Sequence, residues 1–132
     1  MFWRRRRRVR RRKRTSVTRH YARNKEQARA VILQRIEKYV GVYGFAFGRV
    51  AVRNTKSRWG SCSTKGNLNF SYRILFLPEH LADYIVVHEL CHLQELNHSP
   101  RFWQLVAQTV PDYKERRKAL RNNGQKHIYN AA

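Results

Sequence analysis

The residue types best suited to chemistry lie together in the middle of the sequence. His88, Glu89 and His92 form the pattern His-Glu-x-x-His. In a helix, the two histidines lie roughly 40° apart around the axis, so both imidazoles can reach one metal ion. Glu89 then lies beside the metal, where its carboxylate can take a proton from a water molecule. This combination favours hydrolysis of an amide bond, with Glu89 as the general base.

A catalytic zinc site needs a third protein ligand and leaves the fourth position for water. His98 is the preferred candidate, because the turn after the motif can fold it back towards the helix. Glu95 is the main alternative, since a carboxylate three residues after His92 could also approach the metal. Cys91 is a softer and sterically less suited donor. We therefore predict one Zn²⁺ per chain, held by His88, His92 and His98.

The remaining candidates for chemistry are less specific. Four side chains could help to stabilise an oxyanion, and the sequence does not choose among them. They are Tyr84, Tyr113, Arg58 and Arg73. Three other histidines have no comparable partners and are predicted to lie on the surface. They are His20, His80 and His127.

The segment that carries the motif is expected to be a buried helix. Pro78 can occupy the start of a helix, and no helix-breaking residue follows until about Asn97. Apolar residues lie on more than one side of this segment, which is typical of a helix in the core. His88 and His92 share an apolar stripe with Leu81, so the metal is expected to face the interior.

A helix, a small sheet and further helices are predicted around this segment. Apolar residues recur at three and four residue steps from Asn24 to about Tyr43, which indicates an amphipathic N-terminal helix. Alternating patterns and a Lys65-Gly66-Asn67 turn predict a small antiparallel sheet. Its strands are expected over residues 49–53, 56–63 and 67–71. Ser99-Pro100 and Pro111 are typical of the starts of two C-terminal helices, and this order of elements defines the α+β class.

Length and composition favour one small domain inside the cell. The chain has 132 residues, of which 42% are hydrophobic, enough for a compact core. No apolar run approaches the roughly 20 residues of a transmembrane helix, and no secretory leader is recognisable. Cys62 and Cys91 are too few for a disulfide framework and are predicted to be free thiols. A cytoplasmic location is expected.

Nearly half of the net charge of +21 lies in the first fourteen residues. Residues 1–14 contain ten basic side chains and no acid, so they are predicted to form a disordered arm ahead of a domain over 15–132. The arm would bind a polyanion through counterion release, and nucleic acid is the expected partner, which would associate the protein with the nucleoid. An anionic membrane surface or an unselective extension are the alternatives. The basic residues of the arm are Arg4, Arg5, Arg6, Arg7, Arg8, Arg10, Arg11, Arg12, Lys13 and Arg14.

Three strings of this sequence resemble the YgjP-like family of small zinc metallopeptidases, which is related to the SprT-like and WLM zincins. They are Lys56-Ser57-Arg58-Trp59-Gly60-Ser61-Cys62-Ser63, Ile85-Val86-Val87-His88-Glu89-Leu90-Cys91-His92-Leu93, and Asn97-His98-Ser99 with Phe102-Trp103. The resemblance covers most of the chain but not residues 1–14. It implies a minimal zincin fold, with His88, His92 and His98 as zinc ligands and Glu89 as catalytic base.

The same resemblance suggests where a peptide substrate would bind. In a zincin fold, the Arg58-Trp59-Gly60-Ser61 segment would lie near the sheet edge, where an extended peptide can add as a strand. The alternative is structural packing, with Trp59 in the core. SprT-like and WLM relatives act on proteins attached to DNA, which by analogy makes a nucleic-acid-associated protein the expected substrate.

Two other hypotheses compete with a protease. In one, the chain is a basic nucleic-acid-binding module with a structural zinc, and Cys62 or Cys91 completes a closed four-ligand site. In the other, it is a subunit whose metal site is latent until a partner binds. The oligomeric state cannot be read from the sequence.

Overall fold

The computed structural model of the protein describes residues 15–122. It contains four α-helices, one short 3-10 helix and three strands within this range. In chain order they are α1 (Ser16–Tyr43), β1 (Val50–Arg53), β2 (Gly60–Cys62), β3 (Leu68–Ser71), the 3-10 helix (Tyr72–Phe76), α2 (Glu79–His92), α3 (Pro100–Thr109) and α4 (Tyr113–Asn122). The α+β class and the predicted order of elements are confirmed.

The N-terminal helix α1 begins eight residues before the predicted start at Asn24. Thr15 caps it, because its side chain accepts a hydrogen bond from the backbone N–H of Thr18. The added turns are rich in polar and basic residues, and Tyr21 attaches them to the sheet by donating to the carbonyl of Val52 at 2.9 Å. The helix ends at the left-handed Gly44, whose φ is 69°.

The sheet has the order β1-β3-β2 and is mixed, whereas the sequence predicted an antiparallel one. β2 and β3 form the expected antiparallel hairpin, which turns at Gly66 with a φ of 81°. β1 pairs with β3 in parallel. Consecutive strands still reverse direction along the chain. The prediction was wrong because β3 inserts between β1 and β2 and so lies beside a strand of its own direction.

Helix α2 is the centre of the fold. Every residue from Leu81 to His92 is buried, and the helix packs against α1, α3, α4 and β2. This confirms the predicted buried central helix. Near its start, Asp83 forms an ion pair with Arg35 of α1, so the one acidic side chain buried at this junction is compensated.

The helix α2 ends at His92, five residues before the predicted end at Asn97. The backbone N–H groups of Leu93 and Gln94 bond three residues back, to Leu90 and Cys91, which tightens the last turn and ends the helix. The chain then reverses and enters α3, where Ser99 caps the N-terminus as predicted. In the described part of the chain, no helix is both long and apolar enough to cross a membrane.

Candidate metal centre

Three histidine side chains converge on one point next to helix α2. The Nε2 atoms of His88 and His92 are 3.1 Å apart, those of His92 and His98 are 3.1 Å apart, and those of His98 and His88 are 3.2 Å apart. Ligand atoms ~2.0–2.1 Å from a tetrahedral zinc ion lie roughly 3.3–3.4 Å from one another. The three nitrogen atoms therefore have nearly the spacing of one face of a zinc coordination tetrahedron.

The early end of α2 is what brings the three side chains together. His88 and His92 lie one turn apart on the helix, as the motif predicts. His98 lies in the loop just before Ser99, the cap of α3. If the helix continued to Asn97, His98 would lie at its far end rather than opposite His92. The reversal after Leu93 therefore completes the cluster.

Neighbouring groups orient the imidazoles with Nε2 towards the centre. The Nδ1 of His92 is 2.9 Å from the backbone carbonyl oxygen of Glu95, so Nδ1 carries the proton and donates it, which leaves the lone pair on Nε2. Phe102 stacks on the His92 ring at a centroid distance of 4.4 Å. Glu95 thus contributes its backbone to the site, and its carboxylate is not part of the cluster.

The electrostatic environment keeps the cluster neutral. Burial holds the pKa of His88 well below its ordinary value, and the neighbouring His92 and His98 act in the same direction. Burial also lowers the pKa of His92 and lowers that of His98 to about 4. Metal ions bind the neutral form of imidazole, so all three side chains are ready to act as ligands at neutral pH.

Glu89 lies next to this cluster and against the sheet. It exposes only 1% of its surface, and Gly60 of β2 is its close neighbour. A methyl group on Gly60 would lie 3.0 Å from the Cγ of Glu89 and 3.0 Å from the carbonyl oxygen of Asn69. The close approach of β2 to α2 therefore leaves little room for a side chain at this position.

The Arg58-Trp59-Gly60-Ser61 segment divides into two parts. Trp59 is 2% exposed and belongs to the hydrophobic core, as the packing alternative predicted. Gly60 lies against Glu89, and together with Arg58 and Ser61 it lines a cavity at the sheet. The segment therefore contributes one residue to the core and three to the cavity wall.

The candidate oxyanion donors lie at different places. Tyr84 is fully buried one turn before His88, with its hydroxyl 3.4 Å from His88 Nδ1, and burial raises its pKa. Tyr113 stacks on Trp103, whose ring also lies 5.9 Å from that of His98. Arg58 lies at the cavity, while Arg73 lies in the 3-10 helix.

Sequence reasoning missed Arg117, whose guanidinium lies near the metal centre. Its Cζ is 5.5 Å from the centre of the Trp103 ring. Burial is the main cause of the lowered pKa values of His88 and His98, and the positive charge of Arg117 adds to it. Tyr113 and Arg117 lie four residues apart on one face of α4, a spacing that could have identified the pair.

The cysteines do not join the cluster. Cys62 and Cys91 are free thiols, as predicted, and neither belongs to the metal-binding group found among residues 15–122. Burial raises the pKa of Cys91 to about 12 and that of Cys62 to about 11. His20 and His80 are exposed, as predicted. His127 and the arm over 1–14 lie outside the described residues.

The protein has a small α+β fold in which three histidines surround one point, and a glutamate lies between two of them on a buried helix. This combination is that of a metallopeptidase of the zincin type. Comparison with known protein families supports the same class. The family model of the YgjP-like metallopeptidase domain matches residues 4–123. The chain therefore belongs to the YgjP-like family.

A similar solved structure is the crystal structure of the metallopeptidase zymogen of Pyrococcus abyssi abylysin. It matches with a TM-score of 0.67 and 26% sequence identity, over 74% of this chain and 98% of that chain. A comparison with curated protein sequences found no match. The family match begins at residue 4 and so includes most of the arginine-rich segment. The expectation that residues 1–14 lie outside the resemblance was therefore wrong for most of that segment.

Proposed function

We propose that the protein is a zinc-dependent peptidase in which His88, His92 and His98 hold the metal and Glu89 is the general base. The observation that carries this proposal is the convergence of three Nε2 atoms, 3.1–3.2 Å apart, beside a buried glutamate. Zinc is the metal of choice because three neutral imidazoles in a tetrahedral arrangement suit it and leave one open position.

The residues of this chain divide the work of hydrolysis. When bound, zinc supplies Lewis acidity, which activates a water molecule and polarises the substrate carbonyl. Glu89 takes the proton of the attacking water and delivers it to the leaving amine. The aromatic rings of Phe102 and Trp103 hold the histidines in place, with His98 stacked on Trp103. The positive charge of Arg117 stabilises the negative charge that develops on the substrate.

Strand β2 binds the peptide substrate. It pairs with β3 on one side, and no strand among the described residues pairs with its other side. An extended peptide can therefore add to this edge by main-chain hydrogen bonds. Gly60 has no side chain to keep the peptide away from Glu89, which lies directly behind it.

The basic arm directs the peptidase to its substrates. Its ten positive charges would bind nucleic acid with little sequence preference, and the substrates would be proteins associated with that nucleic acid. The alternative, a nucleic-acid-binding module with a structural zinc, needs a fourth protein ligand. The metal-binding group among the described residues contains three, all histidines.

The Glu89→Gln substitution tests the peptidase function directly. We expect the zinc content to remain at about one ion per chain, while kcat/KM for a peptide substrate falls by roughly 10²–10⁴, the usual contribution of a general base. Zinc content is measured by elemental analysis and hydrolysis by mass spectrometry. Equal hydrolysis by wild type and variant would show that Glu89 is not the base.

A further inference from the structure

The outer face of the sheet carries a cavity of about 220 Å³ that is separate from the three histidines. It lies where the loop between β1 and β2 passes the sheet. Its walls are formed by the end of β1, the start of β2, the middle of β3 and the loop between β1 and β2. The residues that line it include Arg53, Thr55, Arg58, Ser61, Asn69 and Phe70.

Hydrogen bonds fix the walls of this cavity. The Nε of Arg53 donates to the Oδ1 of Asn69 at 3.0 Å, which holds the guanidinium over the sheet. Thr55 donates its hydroxyl proton to the carbonyl oxygen of Arg58 at 3.0 Å, and Ser71 donates to the carbonyl of Thr55 at 3.2 Å. The loop is thus attached both to itself and to β3, so the cavity exists before any ligand arrives.

The chemistry of the lining selects an anion. Two guanidinium groups, two hydroxyls and one amide surround the cavity, and no Asp or Glu is among the residues that line it. Arginine binds carboxylates through two parallel hydrogen bonds, and such charge-assisted bonds are about twice as strong as neutral ones. Phe70 also lines the cavity, although its ring is buried and lies on the Glu89 side of the sheet, next to Gly60. The carboxylate of an acidic amino-acid side chain is an anion that the polar groups of the cavity can bind.

The cavity and the candidate general base, Glu89 of α2, both border strand β2. Gly60 lines the cavity and also contacts Glu89, whereas the next residue, Ser61, pairs with Asn69 on the outer face. Side chains of a peptide added along β2 would alternate between the same two faces. If one residue of the peptide lies beside Glu89, the side chain of the next peptide residue would point towards Arg53 and Arg58.

We propose that this cavity is a specificity pocket that receives an Asp or Glu side chain of the peptide substrate, at a fixed distance from the bond that is cut. The proposal rests on the peptidase function proposed above. A cavity of about 220 Å³ suits one side chain. A nucleic-acid strand would instead present a continuous row of phosphates to an open surface.

The experiment uses one random-sequence peptide library with the zinc-loaded full chain and two readouts. Mass spectrometry identifies the bonds that the wild type cuts, and the peptides that the Glu89→Gln protein retains. We expect acidic residues to be enriched roughly tenfold at one fixed position in both readouts. Arg53→Gln and Arg58→Gln should each reduce this enrichment severalfold. Arg19→Gln, an exposed arginine of α1, is the matched control and should keep it.

The outcomes separate the two proposals. Cleavage without an acidic preference, or a preference unchanged in both arginine variants, would overturn the pocket and leave the peptidase. If the wild type cuts no peptide, and the Glu89→Gln protein nevertheless retains acidic peptides through Arg58, the peptidase fails and the cavity remains only a binding site for acidic peptides. If neither readout enriches acidic peptides and Arg58→Gln instead weakens binding of a short DNA duplex, the cavity contacts nucleic acid and the pocket is refuted. Thermal unfolding checks that each variant is folded.

Discussion

The two faces that meet at strand β2 differ in almost every physical property. On the α2 side, His88 and Glu89 are nearly inaccessible and the imidazoles are held neutral. On the outer side, Arg53 and Arg58 are exposed and positively charged. Buried, neutral and fixed groups suit a metal and a proton transfer, whereas exposed charges suit recognition. The difference suggests that reaction and substrate choice are located on opposite sides of one short strand, and that each can be changed without the other.

The largest effect is expected for loss of the third histidine. His98→Ala should weaken zinc binding roughly a hundredfold or more, because even changes to groups that only orient ligands cost 10–100-fold. Competition with a chromogenic chelator measures the affinity. Glu95→Gln is the matched control, since only the Glu95 backbone carbonyl contacts His92. Arg58→Gln, on the other face, should also bind zinc normally. Normal zinc binding by His98→Ala would show that His98 is not a ligand.

Removal of residues 1–14 should affect nucleic-acid binding and not the reaction. We expect the affinity for a DNA duplex at 0.15 M salt to fall roughly tenfold or more, with a shallower dependence on salt, because fewer counterions are released. Fluorescence anisotropy over a salt series measures both. Hydrolysis of a free peptide should stay the same. Equal salt slopes for the two proteins would contradict the proposed role of the arm, and a loss of peptide hydrolysis would contradict the separation of recognition from reaction.

Gly60 touches both faces. Gly60→Ala should reduce kcat/KM about tenfold and the free energy of unfolding by about 1–3 kcal/mol, because the added methyl meets Glu89 and the backbone of Asn69, both at 3.0 Å. Gly41→Ala is the control. A methyl there has nothing within 4 Å and lies in a helix, so stability should rise by about 0.5–1 kcal/mol. Unchanged activity in Gly60→Ala would mean that β2 can move away from Glu89 at little cost.

The sequence predicted the two faces unequally well, for physical reasons. Helix α2 and its two histidines follow from a strong local pattern, in which Pro78 and the apolar spacing agree with the motif. The end of α2 was missed because Leu93 and Leu96 continue the apolar pattern, although the chain turns at that point. The pairing of β1 with β3 was missed because strands of three and four residues carry too little pattern to specify their neighbours.

Contacts between distant parts of the chain were the hardest to foresee. The cavity joins Arg53 and Arg58 with Asn69, and only the sheet order brings these three together. The guanidinium of Arg117, in α4, lies over the Trp103 ring of α3. The spacing of four residues places Arg117 beside Tyr113 on one face of α4, but it does not relate either residue to a ring in α3. Motif spacing therefore predicts which groups are the candidates for the reaction, and tertiary packing determines what surrounds them.

The smallest predicted effect is on the pH dependence of the free energy of unfolding of the metal-free protein. It depends only on the histidines of the α2 side. Burial lowers the pKa of His98 to about 4, below the ~6.5 of an unfolded chain. Between these values the unfolded state binds more protons, so the free energy of unfolding should fall as the pH is lowered from 6.5 to 4. The His98→Ala substitution removes one of the histidines whose pKa is lowered in the folded state. Its pH profile should be shallower by less than ~1.4 kcal/mol per pH unit, because partial exposure of His98 to solvent reduces the effect.

Urea titrations of the metal-free wild type and the variant, at steps between pH 7 and pH 4, measure these profiles. Arg58→Gln is the control, because its side chain is exposed on the outer face and should leave the profile unchanged. Parallel profiles for wild type and His98→Ala would mean that His98 is solvated when the metal is absent. The three histidines would then be assembled by the metal rather than held together by the fold, and the contrast between a fixed reactive face and an open recognition face would apply only to the metal-bound protein.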